Sequence, residues 1–333
     1  MNSDLPFGGK VSVLGGDWKQ ILPVAVHANR TTIIETCLNN SPLWSTFKQF
    51  SLVRNMRTEP DEQDFAYWLL HLGNGSLTNN CQLGEDIVEI PSECVVRDSI
   101  VDEIFGSSVT DMENLSEKAI LCPKNEDSLK INEQVLKKLP GQNKTYFSAD
   151  SIMCEDQEEQ NNFLLDFINA LTPSGMPQHE LNLKVGSVIM LLRNLNPSAG
   201  LCNGTRLIIR KLMPIVIDDE ILTGHTKRSR ASVPRITLSP SDSNLPFQFQ
   251  RRQFPIRLGF AMTINKSQGQ SLRKVGIYLP QPVFSHEMLY VAFSRATSRR
   301  CVRVLIIDTK KQGKLNSSNR VFTKNVVFHE VLF

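Results

Sequence analysis

The 333-residue chain is 41% hydrophobic and 21% charged, the composition of a globular protein with room for about two domains. No run approaches the ~18 uninterrupted apolar residues of a membrane helix, and the opening MNSDLPFGGK lacks the basic and apolar regions of a signal peptide, so the expectation is an intracellular protein with no membrane partner. The net charge of +3 hides an asymmetry: residues 1–200 hold 15 Lys+Arg against 27 Asp+Glu, and residues 201–333 hold 22 against 7.

In chain order, short apolar runs alternate with amphipathic segments, the pattern of an α/β sheet covered by helices. KVSVLGG (10–16), apolar and β-branched and ended by glycines, predicts a central strand, and QFSLVRNM (49–56) a second. DEQDFAYWLLHLGNG begins with acids, spaces Phe65, Trp68, Leu69 and Leu72 helically and ends on glycine, which predicts a helix. Residues 73–117 are acidic and weakly patterned, with a domain boundary expected near their end. KAILCPKN (118–125) opens a strand, and SLKINEQVLKKL reads as a helix stopped by Pro140-Gly141. KTYFSADS is a further strand and EEQNNFLLDFINAL (158–171) a short helix, while KVGSVIMLLRNL (184–195) and GTRLIIRKL (204–212) pair across a turn-rich loop. From 213 to about 255 the chain turns polar and basic, either a small β insertion or a long loop. Strand-helix order then resumes through LGFAMTINKSQGQSL, KVGIYLP, HEMLYVAFSRATS and VRVLIID.

Several residue groups suit chemistry. Asp17 and Gln20 follow the first expected strand, where an α/β sheet presents its ligand site, although a capping Asp in an ordinary turn fits too. Arg57 and Arg295 offer planar, permanent positive charge for phosphate oxygens, and surface ion pairs are the alternative. Thr263, Lys266, Ser267, Gln268 and Gln270 concentrate hydroxyl, ammonium and amide donors around Gly269, as an ordinary polar loop also would. Two phosphate-loop candidates fail: GFAMTINKS has Asn265 where glycine is required, and FGGKVS precedes a strand rather than a helix. Cys37, Cys81, Cys94, Cys122, Cys154, Cys202 and Cys301 never form Cys-x-x-Cys, so neither a zinc site nor a disulfide framework is supported. The basic C-terminal part suits a polyanion, or simply forms a solvated face.

Taken in order, these segments resemble the superfamily-one DNA helicases of the Pif (petite integration frequency) type, including the helicase part of Helitron transposon proteins. FGGKVSVLGGDWKQILPV is similar to that family's motif III, SLVRNMR to motif IV, GFAMTINKSQGQSL to motif V and YVAFSRATS to motif VI. AILCPKNEDSLKIN and GLCNGTRLIIRKL are similar to landmarks of its second motor domain. The resemblance implies tandem RecA-like P-loop NTPase motor domains of α/β class: 1–117 the C-terminal remnant of an incomplete first domain, and 118–333 the second, with a small β insertion at about 213–255.

By the same resemblance, Asp17 and Gln20 face the γ-phosphate and Mg²⁺ of ATP, Asp17 touching the metal through water. Arg57 and Arg295 reach the nucleotide. Gln268 and Gly269 couple it to DNA, and Thr263, Lys266, Ser267 and Gln268 lie near the single strand. The implied activity is ATP-dependent 5′–3′ translocation and unwinding on single-stranded and forked DNA by a monomer, in the nucleus or mitochondrion. The implied settings are DNA repair, recombination, telomere maintenance or transposition. The family carries a Walker A loop and an Asp-Glu pair ahead of motif III, whereas six residues precede Phe7. The chain therefore reads as a fragment expected to be inactive alone; the alternative is a non-catalytic nucleic-acid-binding remnant.

Overall fold

The run KVGIYL forms the strand Lys274–Leu279 and VRVLI forms Val302–Ile306; they pair in parallel, from Val275 beside Val302 to Leu279 beside Ile306. A parallel pair needs a crossover, and the segment between them contains the helix Met288–Phe293. Five of its six residues, all but Tyr290, are buried. The expected helix after Pro60 is Gln63–Gly73, with Asp64 in its first turn and Phe65, Leu69 and Leu72 on its buried face. Trp68 of this helix meets Phe293 edge-on at 4.9 Å, and Gly73 ends it where a side chain would collide, since a Cβ there would lie 2.9 Å from Lys19 Cδ and 3.0 Å from Tyr290 Cδ2. Ile87–Ile90, Val321–Lys324 and Gly313–Lys314 form a separate three-stranded antiparallel sheet.

The computed structural model describes residues 6–23, 28–52, 55–77, 84, 86–106, 109, 114–153, 164–240, 245, 247–314 and 319–332. The chain forms two compact units, one of residues 1–100, 121–123 and 263–333 and the other of 101–120 and 124–262. They do not follow a cut at 117/118. The elements above belong to the first unit, where Trp18 packs edge-on against Trp44 at 5.6 Å.

The second unit is β-rich. Its five-stranded antiparallel sheet runs in the order Ile256–Leu258, Val188–Leu191, Arg206–Leu212, Val216–Ile221, Arg230–Pro234. Ile189, Leu191, Leu207, Ile209, Ile217 and Val233 fill the core beneath it. Ile236–Leu238, Gln248–Gln253 and Ala149–Met153 make a three-stranded sheet, and Lys144–Phe147 pairs with Glu180–Leu183. Much of 213–255 is thus strand. The amphipathic helix Asn125–Lys138 buries Ile131, Val135 and Leu136, and its Asn132 exchanges hydrogen bonds with the Ala261 backbone, donating to the carbonyl at 2.8 Å and accepting from the N–H at 2.8 Å.

Within this unit Arg251 and Asp150, both fully buried, pair through two bonds of 2.9 and 2.6 Å. Ser148 Oγ donates to Asp150 Oδ1 at 2.6 Å and lies 2.8 Å from His179 Nδ1. Although Ser, His and Asp meet here, the serine proton goes to a carboxylate already held by arginine. The arrangement is a structural knot rather than a nucleophile with its base.

Two expected strands are not strands. Residues 10–16 carry no strand, and Val11 and Val13 stand 95% and 89% exposed. In the second case residues 49–52 are irregular, with Phe50 and Leu52 exposed, and residues 53 and 54 lie outside the described residues. A strand exists only by hydrogen bonding to a neighbour, and among the described residues none pairs with either segment. Of the helix expected over 158–171, Leu165–Ala170 is present and 158–163 fall outside the described residues.

Candidate functional site

The proposed site residues lie in the first unit, brought together from four stretches of chain. Asp17 closes a tight turn: its Oδ1 accepts from the Lys19 backbone N–H at 2.9 Å, its carbonyl from Gln20 N–H at 3.0 Å, and its Oδ2 from Gln20 Nε2 at 3.3 Å. This is the local bonding that makes Asp a turn former. The Gln20 side chain is held at its other end as well, because Gln268 Nε2 donates to Gln20 Oε1 at 2.7 Å across a separation of 248 residues.

Gln268 follows the strand Ala261–Thr263 and the 3₁₀ turn Ile264–Ser267. Ser267 is buried and donates to Ile264 O at 2.6 Å, which fixes that turn, and Thr263 is buried too. Neither side chain lies on the surface. Gly269 has φ +81° with open space where a Cβ would be, so the backbone conformation, not crowding, calls for glycine. Gln270 donates to Lys266 O at 3.3 Å.

Arg295 is buried, and its guanidinium donates to Val291 O at 3.0 Å, Gln270 O at 3.3 Å, Ser267 O at 3.5 Å and Ser294 Oγ at 2.8 Å. It knots the 263–270 segment to the helix Met288–Phe293, and among the described residues no carboxylate pairs with it. Burial first, then the neighbouring Arg57, lowers it to about 10, so it stays charged at neutral pH. Arg57 is half-buried and donates from one terminal nitrogen to Ser294 O at 2.9 Å, the only side-chain hydrogen bond it makes among the described residues. Its remaining donors are available to a ligand. Two arginines thus converge on Ser294.

Sequence reasoning missed three neighbours. Tyr290 is pushed up to about 12 by burial, then by Asp17 and Glu287. Glu287 is fully buried at φ +56°, and neither carboxylate oxygen has a hydrogen-bond partner. Burial raises it to about 9, with Lys19 opposing and Asp17 reinforcing the shift. Lys19 is the third, its stem against Gly73. HEMLYVAFSRATS held the first two in plain view, yet no periodicity marks a buried acid. Among the described residues no three His, Cys, Asp or Glu side chains gather to hold a metal, and no helix is long and apolar enough to cross a membrane.

Residues 1–82 match the family "PIF1-like helicase", and residues 166–212 match "DNA helicase Pif1, 2B domain". Among curated proteins, the chain is 28% identical over 313 residues to the ATP-dependent DNA helicase PIF1 of Xenopus laevis, covering 92% of this chain and 42% of that protein. It is 29% identical over 309 residues to the Homo sapiens protein of the same name, covering 91% and 42%. The solved structure of Bacteroides Pif1 bound to single-stranded DNA superposes with a TM-score of 0.63 at 24% identity, covering 91% of this chain and 63% of that one. The chain resembles the Pif1-like helicases. Its mixed α/β architecture with a parallel strand pair is the Pif1 fold, in agreement with the expected class. It spans 42% of the length of the Pif1 relatives above. The Pif1 match at residues 166–212 falls on the β-rich second unit and includes the strands Val188–Leu191 and Arg206–Leu212.

Proposed function

We propose that this chain supplies the nucleotide-sensing turn, the arginines and the DNA-coupling segment of an ATP-dependent, 5′–3′ DNA helicase acting on single-stranded and forked DNA. The observation that carries the reading is the Gln20–Gln268 hydrogen bond, which joins the turn bearing Asp17 to the segment bearing Thr263, Lys266 and Gly269. The donor set fits a triphosphate terminus: among the described residues Arg57 spends only one guanidinium nitrogen, on Ser294 O, the Gln20 and Gln268 amides meet each other, and Arg295 adds buried positive charge near Arg57. Asp17 is an exposed carboxylate, and among the described residues no three His, Cys, Asp or Glu side chains gather to make a metal cage, which fits contact with a hydrated Mg²⁺ through water. Bound nucleotide supplies the driving reaction. The chain's own residues orient it and communicate its presence from Gln20 to Gln268. Within this sequence no Gly-rich phosphate loop occurs, so the chain by itself is expected to bind nucleotide weakly and turn it over little.

A second reading, a non-catalytic nucleic-acid-binding remnant, is favoured by the 22 Lys+Arg against 7 Asp+Glu after residue 200. Anisotropy of a labelled single-stranded oligonucleotide separates the two. Both expect affinity that falls steeply with salt. The helicase reading adds that Mg·ATP changes that affinity, and that Arg57→Ala weakens Mg·ATP binding by roughly tenfold or more, the worth of a charge-assisted hydrogen bond. DNA affinity indifferent to Mg·ATP leaves only the remnant, and affinity indifferent to salt removes both.

A further inference from the structure

His286 is fully buried in the first unit, one residue before Glu287, and both its ring nitrogens are engaged. The Phe328 backbone N–H points at Nδ1 at 2.8 Å, and Nε2 lies 3.0 Å from the Trp18 carbonyl oxygen. A backbone N–H only donates, so Nδ1 is bare and the ring proton sits on Nε2, donating to Trp18. Trp18 is the residue between Asp17 and Lys19 in the site's turn. Around this clasp Trp18, Leu22, Ile33, Phe328 and Val331 form a small apolar cluster. Phe328 also lies 5.2 Å from the imidazole and carries the Arg30 guanidinium 4.5 Å from its centroid.

We infer that His286 is a positioning residue: as the neutral Nε2–H tautomer it ties the Trp18–Gln20 turn to the backbone at Phe328, and so holds Asp17 and Gln20 in register with Gln268. The inference rests on the nucleotide reading only for what the turn presents; the clasp exists without it. An added proton has one place to go, Nδ1, where it would face the Phe328 N–H, so the imidazolium cannot keep both bonds. Burial lowers the ring's proton affinity, Arg30 and His329 lower it further, and the Trp18 carbonyl and Glu330 act in the opposite direction. From the turn itself Asp17 and Lys19 complete the set of charges nearby, and Glu287 adjoins on the same segment.

The test is nuclear magnetic resonance of the ¹⁵N-labelled full chain. At neutral pH the His286 ring is expected in the Nε2–H form, with a titration midpoint below the ordinary value of about 6.5, and the Trp18 indole resonance is expected to move with the same midpoint. In His286→Phe that movement disappears, and the Gln20 amide exchanges roughly tenfold faster while the Ile277 amide in the parallel strand pair is unchanged. An Nδ1–H ring in the wild type, a Trp18 resonance indifferent to the His286 titration, or equal acceleration at Gln20 and Ile277 would each overturn the assignment. The first two need no variant. If the clasp behaves as stated and Mg·ATP still fails to bind, the nucleotide reading falls alone.

Discussion

Glu287 combines two unfavourable features at one residue. Its φ of +56° is a conformation that a non-glycine residue adopts at a cost of roughly 1–3 kcal/mol, and its carboxyl is buried without a hydrogen-bond partner. Because the folded chain raises this group from 4.5 to about 9, folding takes up a proton. The associated stability is complete below pH 4.5 and is lost as pH rises through 9. Glu287→Gln, which keeps the shape without the charge, should therefore melt close to wild type in mild acid and progressively higher than wild type toward pH 9. Melting curves that stay parallel across that range would show that Glu287 finds a counter-charge. Lys19 is the nearest candidate.

At the scale of elements, local pattern served well where the partners of an element lie in the same chain. KAILC, KVGIYL and VRVLI are strands, DEQDFAYWLLHLG contains a helix ending at its glycine, and VIML pairs with RLIIRKL as expected. KVSVLGG has the same apolar, β-branched signature and forms nothing, because alternation reports what a segment prefers to bury and not whether a neighbouring strand is there. Val11→Thr and Val13→Thr together should accordingly change stability by no more than about 0.5 kcal/mol each, the scatter of surface sites. A loss several times larger in a denaturant titration would mean that this segment is packed in solution. The Arg251–Asp150 pair is the opposite case, since neither residue carried any sequence signal and yet their pair ties Ala149–Met153 to Gln248–Gln253. Arg251→Ala strands a buried carboxylate and is expected to cost about 3–5 kcal/mol by circular dichroism in denaturant. A cost below that of an exposed ion pair would show that Asp150 takes up a proton instead.

Over the whole molecule, the motifs were legible because their chemistry depends on residue type at fixed spacing, and the order of LGGDWKQ, SLVRNMR, TINKSQGQ and YVAFSRATS survives any packing. The compact units were not legible. One of them combines residues 1–100 with 263–333, and no composition shift at 117/118 foretells a chain that leaves a unit and returns to it. The roles of Arg57 and Arg295 were likewise opaque, since an exposed hand for a ligand and a buried knot look identical on paper. Their packing differs: Arg295 is walled in by carbonyls and Arg57 has donors to spare.

The amide of Gln20 is already occupied at both ends, by Asp17 and by Gln268. An acceptor that approaches the Gln268 amide competes with Gln20 Oε1 and must be stronger than a neutral carboxamide oxygen to win, as an anionic oxygen is. Weaker acceptors lose that contest, and one that wins breaks the Gln20–Gln268 bond in the same act, so the strength of the acceptor and the release of Gln20 would be tied together.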